Sequence, residues 1–128
     1  MRQQPGMKPI VWIGSSLGDL SELPEEVQRG VGRALKVAQQ GDRPASAKPL
    51  TGFGGASVLE IRDNHDGDTF RAVYTVRFAE RLYVLHVFQK KSRHGIQTAS
   101  QDVNLIRGRL RAAEDLHQEW LSQQQKGE

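Results

Sequence analysis

The run KPIVWI (8–13) is short, apolar and rich in β-branched residues, the pattern of a strand. Leu17, Leu20 and Leu23 follow at helical spacing, and Ser16 and Asp19 stand three apart as in a capping box, which predicts a short helix. Pro24 suits the first position of a second helix, where its missing N–H is not needed. Val27, Val31, Ala34, Leu35 and Ala38 then form one apolar stripe with Gly30 and Gly32 inside it, and Gly41 ends it. Residues 42–57, rich in Gly, Pro and Ala, read as a connection. Three strand-like stretches come next: VLEIR (58–62), TFRAVYTVRF (69–78) and LYVLHVFQ (82–89). A last helix is predicted from Thr98, whose spacing to Gln101 again has capping-box form. Its stripe of Val103, Ile106, Leu110, Ala113 and Trp120 runs to about residue 121. Residues 1–7 and 122–128 are expected to be flexible ends of a single domain spanning 8–121. Helices set apart from an antiparallel meander make the fold class α+β.

The strand register follows from which residues must be buried. Asp66-Gly67 is a favoured two-residue turn, and centring on it sets His65 opposite Asp68, Arg62 opposite Arg71, Ile61 opposite Ala72 and Leu59 opposite Tyr74. In the next hairpin, Ala72 facing Val87 and Tyr74 facing Leu85 joins apolar side chains across all three strands. One face then holds Leu59, Ile61, Ala72, Tyr74, Val76, Tyr83, Leu85 and Val87. The other holds Glu60, Arg62, Arg71, Val73, His86, Phe88 and Lys90, unless a bulge in either hairpin moves half of it. Two arginines directly opposed destabilise a bare ladder, so the pattern calls for an anion beside them.

Charge sharpens that face. The chain of 128 residues has a net charge of +3, but residues 86–111 alone carry six Lys/Arg against one acid. Lys90, Lys91, Arg93 and His94 crowd the end of the last strand, beside Arg62 and Arg71. Guanidinium forks suit phosphate oxygens, and Phe88 offers a ring to an unstacked base. His86 and Phe88 each have a second reading, as a packed core histidine and as cover for the last helix. With no cysteine there is neither a disulfide nor a thiolate metal site. DNHDGD (63–68) lacks the glutamate of a calcium loop and reads as a hairpin turn. GFGG (52–55) lacks a phosphate loop's strand-to-helix context and reads as a tight bend. Arg107 and Arg111, one helical turn apart, fit surface pairing as well as RNA. No metal or cofactor is expected, no apolar run is long enough for a bilayer, and the expected location is cytoplasmic.

The segments KPIVWIGSSLGDLSELPEEV, AKPLTGFGGASVLEIRD, DGDTFRAVYTVRF and LYVLHVFQKKS, in this order, resemble the phage-derived addiction-module killer proteins, a branch of the RelE/HigB-like toxin superfamily. The resemblance covers roughly residues 8 to 114. It implies a RelE-like α+β fold and the toxin of a type II toxin–antitoxin pair, which inhibits translation by cutting messenger RNA in the ribosomal A site. It also implies a helix-turn-helix antitoxin as partner. By the same resemblance Arg71 matches a phosphate-binding arginine on a central strand, and HVFQKKS matches a signature of the branch. The superfamily often places a tyrosine or histidine near the end of the last strand as acid or base. No tyrosine follows Tyr83 here, so His94, His86 or one of the clustered lysines is the candidate for that role.

The chemistry expected is attack of a 2′-hydroxyl on the adjacent phosphate, which needs alignment, proton transfer and charge stabilisation. The catalytic candidates are Arg71, Lys90, Lys91 and His94, and the RNA-binding candidates are Arg62, His86, Phe88 and Arg93. Alanine at Arg71 is expected to stop cleavage and leave the fold intact. The competing class is a non-catalytic basic module of phage origin that binds RNA or protein.

Overall fold

The computed structural model describes residues 7–90 and 98–127. The elements are β1 (Ile10–Trp12), α1 (Ser16–Ser21), α2 (Glu25–Gln39), β2 (Ala47–Pro49), β3 (Val58–His65), β4 (Asp68–Thr75), β5 (Leu82–Lys90) and α3 (Ser100–Lys126). The five strands form one sheet in the order β1-β5-β4-β3-β2. Every pairing is antiparallel except that of β1 with β5. The α+β sequence of strand, two helices, meander and helix is therefore as the pattern implied. Among the described residues no helix is long and apolar enough to cross a membrane.

Several boundaries differ from the expectation for local reasons. The 42–57 connection contains β2, which adds a short edge to β3. Ser15 rather than Ser16 precedes α1: its backbone carbonyl accepts from Asp19 N at 2.8 Å, and its hydroxyl donates to the Asp19 carboxylate at 2.7 Å. Ser16 is buried, and its hydroxyl reaches the Val84 carbonyl at 3.3 Å. At the other end α3 continues to Lys126, through most of the expected tail. His117 anchors this half of the helix. Its Nδ1 lies 2.9 Å from the Tyr83 hydroxyl, its Nε2 2.9 Å from Glu80, and its ring stacks on Phe78.

The sheet lies between two apolar layers. Val27, Val31, Leu35 and Ala38 of α2 pack with Leu59, Ile61, Ala72, Tyr74, Val84 and Val87 on one face. Ile106, Leu110 and Ala113 of α3 pack with Val58, Val73, Tyr83 and Leu85 on the other. The β3–β4 register is the expected one throughout, turning on Asp66 and Gly67, both with positive φ. The β4–β5 register holds from Arg71–Phe88 to Val73–His86 and then slips, so that Tyr74 faces Val84 instead of Leu85. The cause is a β-bulge in which Leu85 has no partner across β4. Tyr83 and Leu85, expected beside Tyr74, therefore belong to the α3 layer.

The two glycines inside α2 differ in surroundings. A Cβ at Gly30 would collide with the Asp63 carboxylate of β3, whereas one at Gly32 would meet nothing. Gly32→Ala should therefore raise stability by about 1 kcal/mol, read from the urea midpoint. Gly30→Ala should gain clearly less or lose stability, because the methyl group must displace Asp63. Equal gains at both positions would show that α2 does not press on β3 at Gly30.

Candidate nucleic-acid interface

The anion that the opposed arginines require is part of the chain. Glu60 sits diagonally from Arg71 across the β3–β4 ladder, within reach of long side chains. Its Oε1 accepts from Arg71 Nη1 at 2.9 Å and from Arg62 Nε at 3.3 Å. Its Oε2 accepts from the Thr98 hydroxyl at 2.6 Å, and Arg71 Nη1 also donates to that hydroxyl at 3.2 Å. Thr98 is thus not the cap of α3. The helix starts at Ser100 without a side-chain cap, and the Thr98 hydroxyl is spent on Glu60.

Burial separates the two arginines. Arg71 is 2% exposed and Glu60 1%. The Arg62 side chain is 29% exposed, and its two terminal nitrogens make no hydrogen bond or ion pair among the described residues. Arg62 therefore presents an open fork to a cleft of about 420 Å³ lined by Leu50, Glu60, Thr98 and Val103. Arg71 lies beneath it as part of the fold, so the expectation that alanine at Arg71 leaves the fold intact does not suit a buried ion pair.

On the other side of Thr98, β5 and the start of α3 border a second cleft of about 720 Å³, lined by Leu23, His86, Phe88, Lys90, Gln101 and Asp102 among others. The bulge aims this wall. With an unbroken ladder from Thr75–Tyr83 onward, Val87 would stand by Arg71, and His86 and Phe88 would turn to the α2 side. Arg109 of α3 donates to the carbonyl of Leu85 at 3.0 Å, which gives the bulged residue's oxygen a partner. His86 Nε2 is 2.8 Å from the Asp102 carboxylate, and Nδ1 is 3.5 Å from Arg109 Nη1. A hydrogen on Nε2 and a lone pair on Nδ1 satisfy both contacts. The His86 ring stacks on Phe88 at 4.4 Å with 14° between planes. His86 thus supports the Phe88 ring, which is partly buried against the α3 layer.

Lys90, at the end of β5, pairs with Thr69 across the ladder. Partial burial, then the guanidinium groups of Arg71 and Arg62, hold its ammonium below the usual lysine range, with Glu60 acting in the opposite direction. Lys91, Arg93 and His94 lie outside the described residues. Among the described residues no three His, Asp or Glu side chains converge as a metal-binding group, and DNHDGD forms the end of the β3–β4 hairpin. Sequence reasoning missed Thr98 beside Glu60, Asp102 beside His86, and Arg109, which holds the Leu85 carbonyl.

Two outcomes follow from this geometry. Arg71→Ala strands the Glu60 carboxylate in the interior and should cost about 3–5 kcal/mol in urea unfolding, whereas Glu60→Leu combined with Arg71→Met should recover most of the loss. A double variant no more stable than the single one would refute the pairing. Lys90, followed by NMR after ¹³C-dimethylation, should titrate below the usual lysine range. Arg62→Ala removes one opposing cation, so the Lys90 midpoint should move up; an unmoved midpoint would detach Lys90 from Arg62.

Comparison with known proteins adds two findings. A chain of the toxin–antitoxin complex RelBE2 from Mycobacterium tuberculosis superposes over its whole length on 71% of this chain, with a TM-score of 0.48 and 15% identity. No curated protein matches the sequence. Residues 18–111 match the family described as Phage derived protein Gp49-like, from α1 to the middle of α3. With that match covering most of the chain and taking in Glu60, Arg62, Arg71 and the whole β3–β5 meander, the protein belongs to the phage-derived Gp49-like family.

Proposed function

We propose that this protein is the toxin of a type II toxin–antitoxin pair, an endoribonuclease that cuts messenger RNA at the ribosome and is neutralised by a helix-turn-helix antitoxin. The observation that carries the reading is the open Arg62 fork over the buried Glu60–Arg71 pair, with Lys90 beside it and Phe88 at the neighbouring cleft. The resemblance of the chain to addiction-module killer proteins supports the same reading.

In this mechanism the 2′-hydroxyl attacks the adjacent phosphorus, the P–O5′ bond breaks, and a 2′,3′-cyclic phosphate and a 5′-hydroxyl result. Arg62 binds the non-bridging oxygens and stabilises the charge that grows on them. Arg71 does not touch the RNA; through Glu60 it holds Arg62 in place, and it adds positive charge beneath the site. Lys90, whose proton is released more readily than an ordinary lysine's, exchanges a proton with the 2′-hydroxyl or the leaving oxygen. Phe88, backed by His86, holds a neighbouring base by stacking. Lys91 and Arg93 add phosphate contacts, and His94 is the second candidate for acid or base.

The test is induced expression in bacteria of the wild type, Arg62→Ala and Lys90→Ala, with mapping of new 5′ ends on cellular messages. The wild type should arrest growth and produce cuts in frame with translation. Arg62→Ala, which keeps the buried pair, should cut about 100-fold more slowly or less. Wild-type protein that accumulates without arrest or cuts would leave the non-catalytic basic module as the reading.

A further inference from the structure

A second cationic groove runs along α3 beyond the Arg62 cleft. Arg107 and Arg111, one turn apart on α3, face the turn between β2 and β3, and Arg77 reaches in from beyond the end of β4. With Gly52 and Phe53 they enclose a recess of about 300 Å³. Arg77 is paired with Glu114 at 2.9 Å. Arg107 and Arg111 make no ion pair among the described residues, so three guanidinium groups share one carboxylate. The Arg107 guanidinium lies 4.9 Å over the Phe53 ring, which fixes its plane. Gly52 has φ +98°, and a Cβ there would come within 3.2 Å of Arg107 Nη2, so the missing side chain leaves this guanidinium its room.

This recess continues the first cleft. Val103 lines the Arg62 cleft, and Arg107 and Arg111 follow it at about 6 and 12 Å of helix rise. That spacing is on the scale of successive phosphates in an extended strand. The Phe53 ring is buried and has Arg107 over it, which leaves no free aromatic face for a base and favours contact with the backbone.

We infer that the groove between α3 and the β2–β3 turn binds the phosphates of the RNA strand flanking the nucleotide held at Arg62. The inference rests on the ribonuclease reading and adds to it a sequence-independent subsite that lengthens the bound segment.

The test uses fluorescence anisotropy with 2′-O-methyl oligonucleotides, which cannot be cut, of three and of eight nucleotides, over a range of salt concentrations. Wild type should bind the longer strand more tightly and with the steeper salt dependence. Arg107→Ala combined with Arg111→Ala, both at exposed positions, should bind the short strand as wild type does and lose the gain from length. Its salt slope on the long strand should be shallower by about 1.4, roughly 0.7 for each lost phosphate contact. A double variant that keeps the full length gain and slope would overturn the inference, leaving the groove to a protein partner or to solvent. Equal weakening on both strands would overturn it too, since the two arginines would then act on binding as a whole. A wild type that binds neither strand would overturn the subsite alone, since the ribonuclease reading is decided separately by the cellular cleavage assay.

Discussion

The Glu60 carboxylate is the point on which the site end of the molecule depends. A buried charge is tolerated only when its lone pairs are taken up, and here the donors come from β3, β4 and the residue pair leading into α3. The Thr98 segment is far in sequence from the β3–β4 hairpin, so the carboxylate fixes its position against the sheet. The start of α3 is held by a hydroxyl used tertiarily rather than as a cap. This exchanges a little helix stability for a defined wall between the two clefts.

The same arrangement explains why two adjacent arginines behave differently. Arg71 is sunk among the strands and serves as a fixed positive charge, whereas Arg62 is tethered at Nε and its outer nitrogens make no hydrogen bond among the described residues. After partial burial, the fixed Arg71 cation is the next cause that lowers the proton affinity of its neighbour Lys90. Preorganised charge of this kind does not have to reorient when a reaction creates new charge nearby.

Much of the fold was legible because its signals are local or strictly periodic. Asp66-Gly67 defined the first hairpin, and the period of two carried the register correctly from His65 to Leu59. The second hairpin was legible only up to His86, because a bulge depends on packing against α3 that no periodicity reports. Thr98 was misread for a good reason: Thr98 and Gln101 have the spacing of a cap, and only the tertiary partner Glu60 shows that the hydroxyl is engaged elsewhere. The opposed arginines correctly signalled a missing anion. That it would come from Glu60, two residues from Arg62 on the same strand, required knowing how far side chains reach diagonally. His117 falls on the apolar stripe of α3, four residues after Ala113 and three before Trp120, but its partners Tyr83 and Glu80 come from other segments that helical spacing does not report.

The bulge at Leu85 also bears on how related chains should be compared. β5 is one residue longer than its pairing with β4 needs, and the surplus is absorbed at a single place. A chain without that residue would build the same two faces from an unbroken ladder, with its histidine and phenylalanine still turned toward α3. Two proteins with superposable sites can therefore differ in length in the middle of a core strand. An alignment that forbids a gap there would set Val87 where Phe88 belongs and find an aliphatic residue in place of the stacking ring.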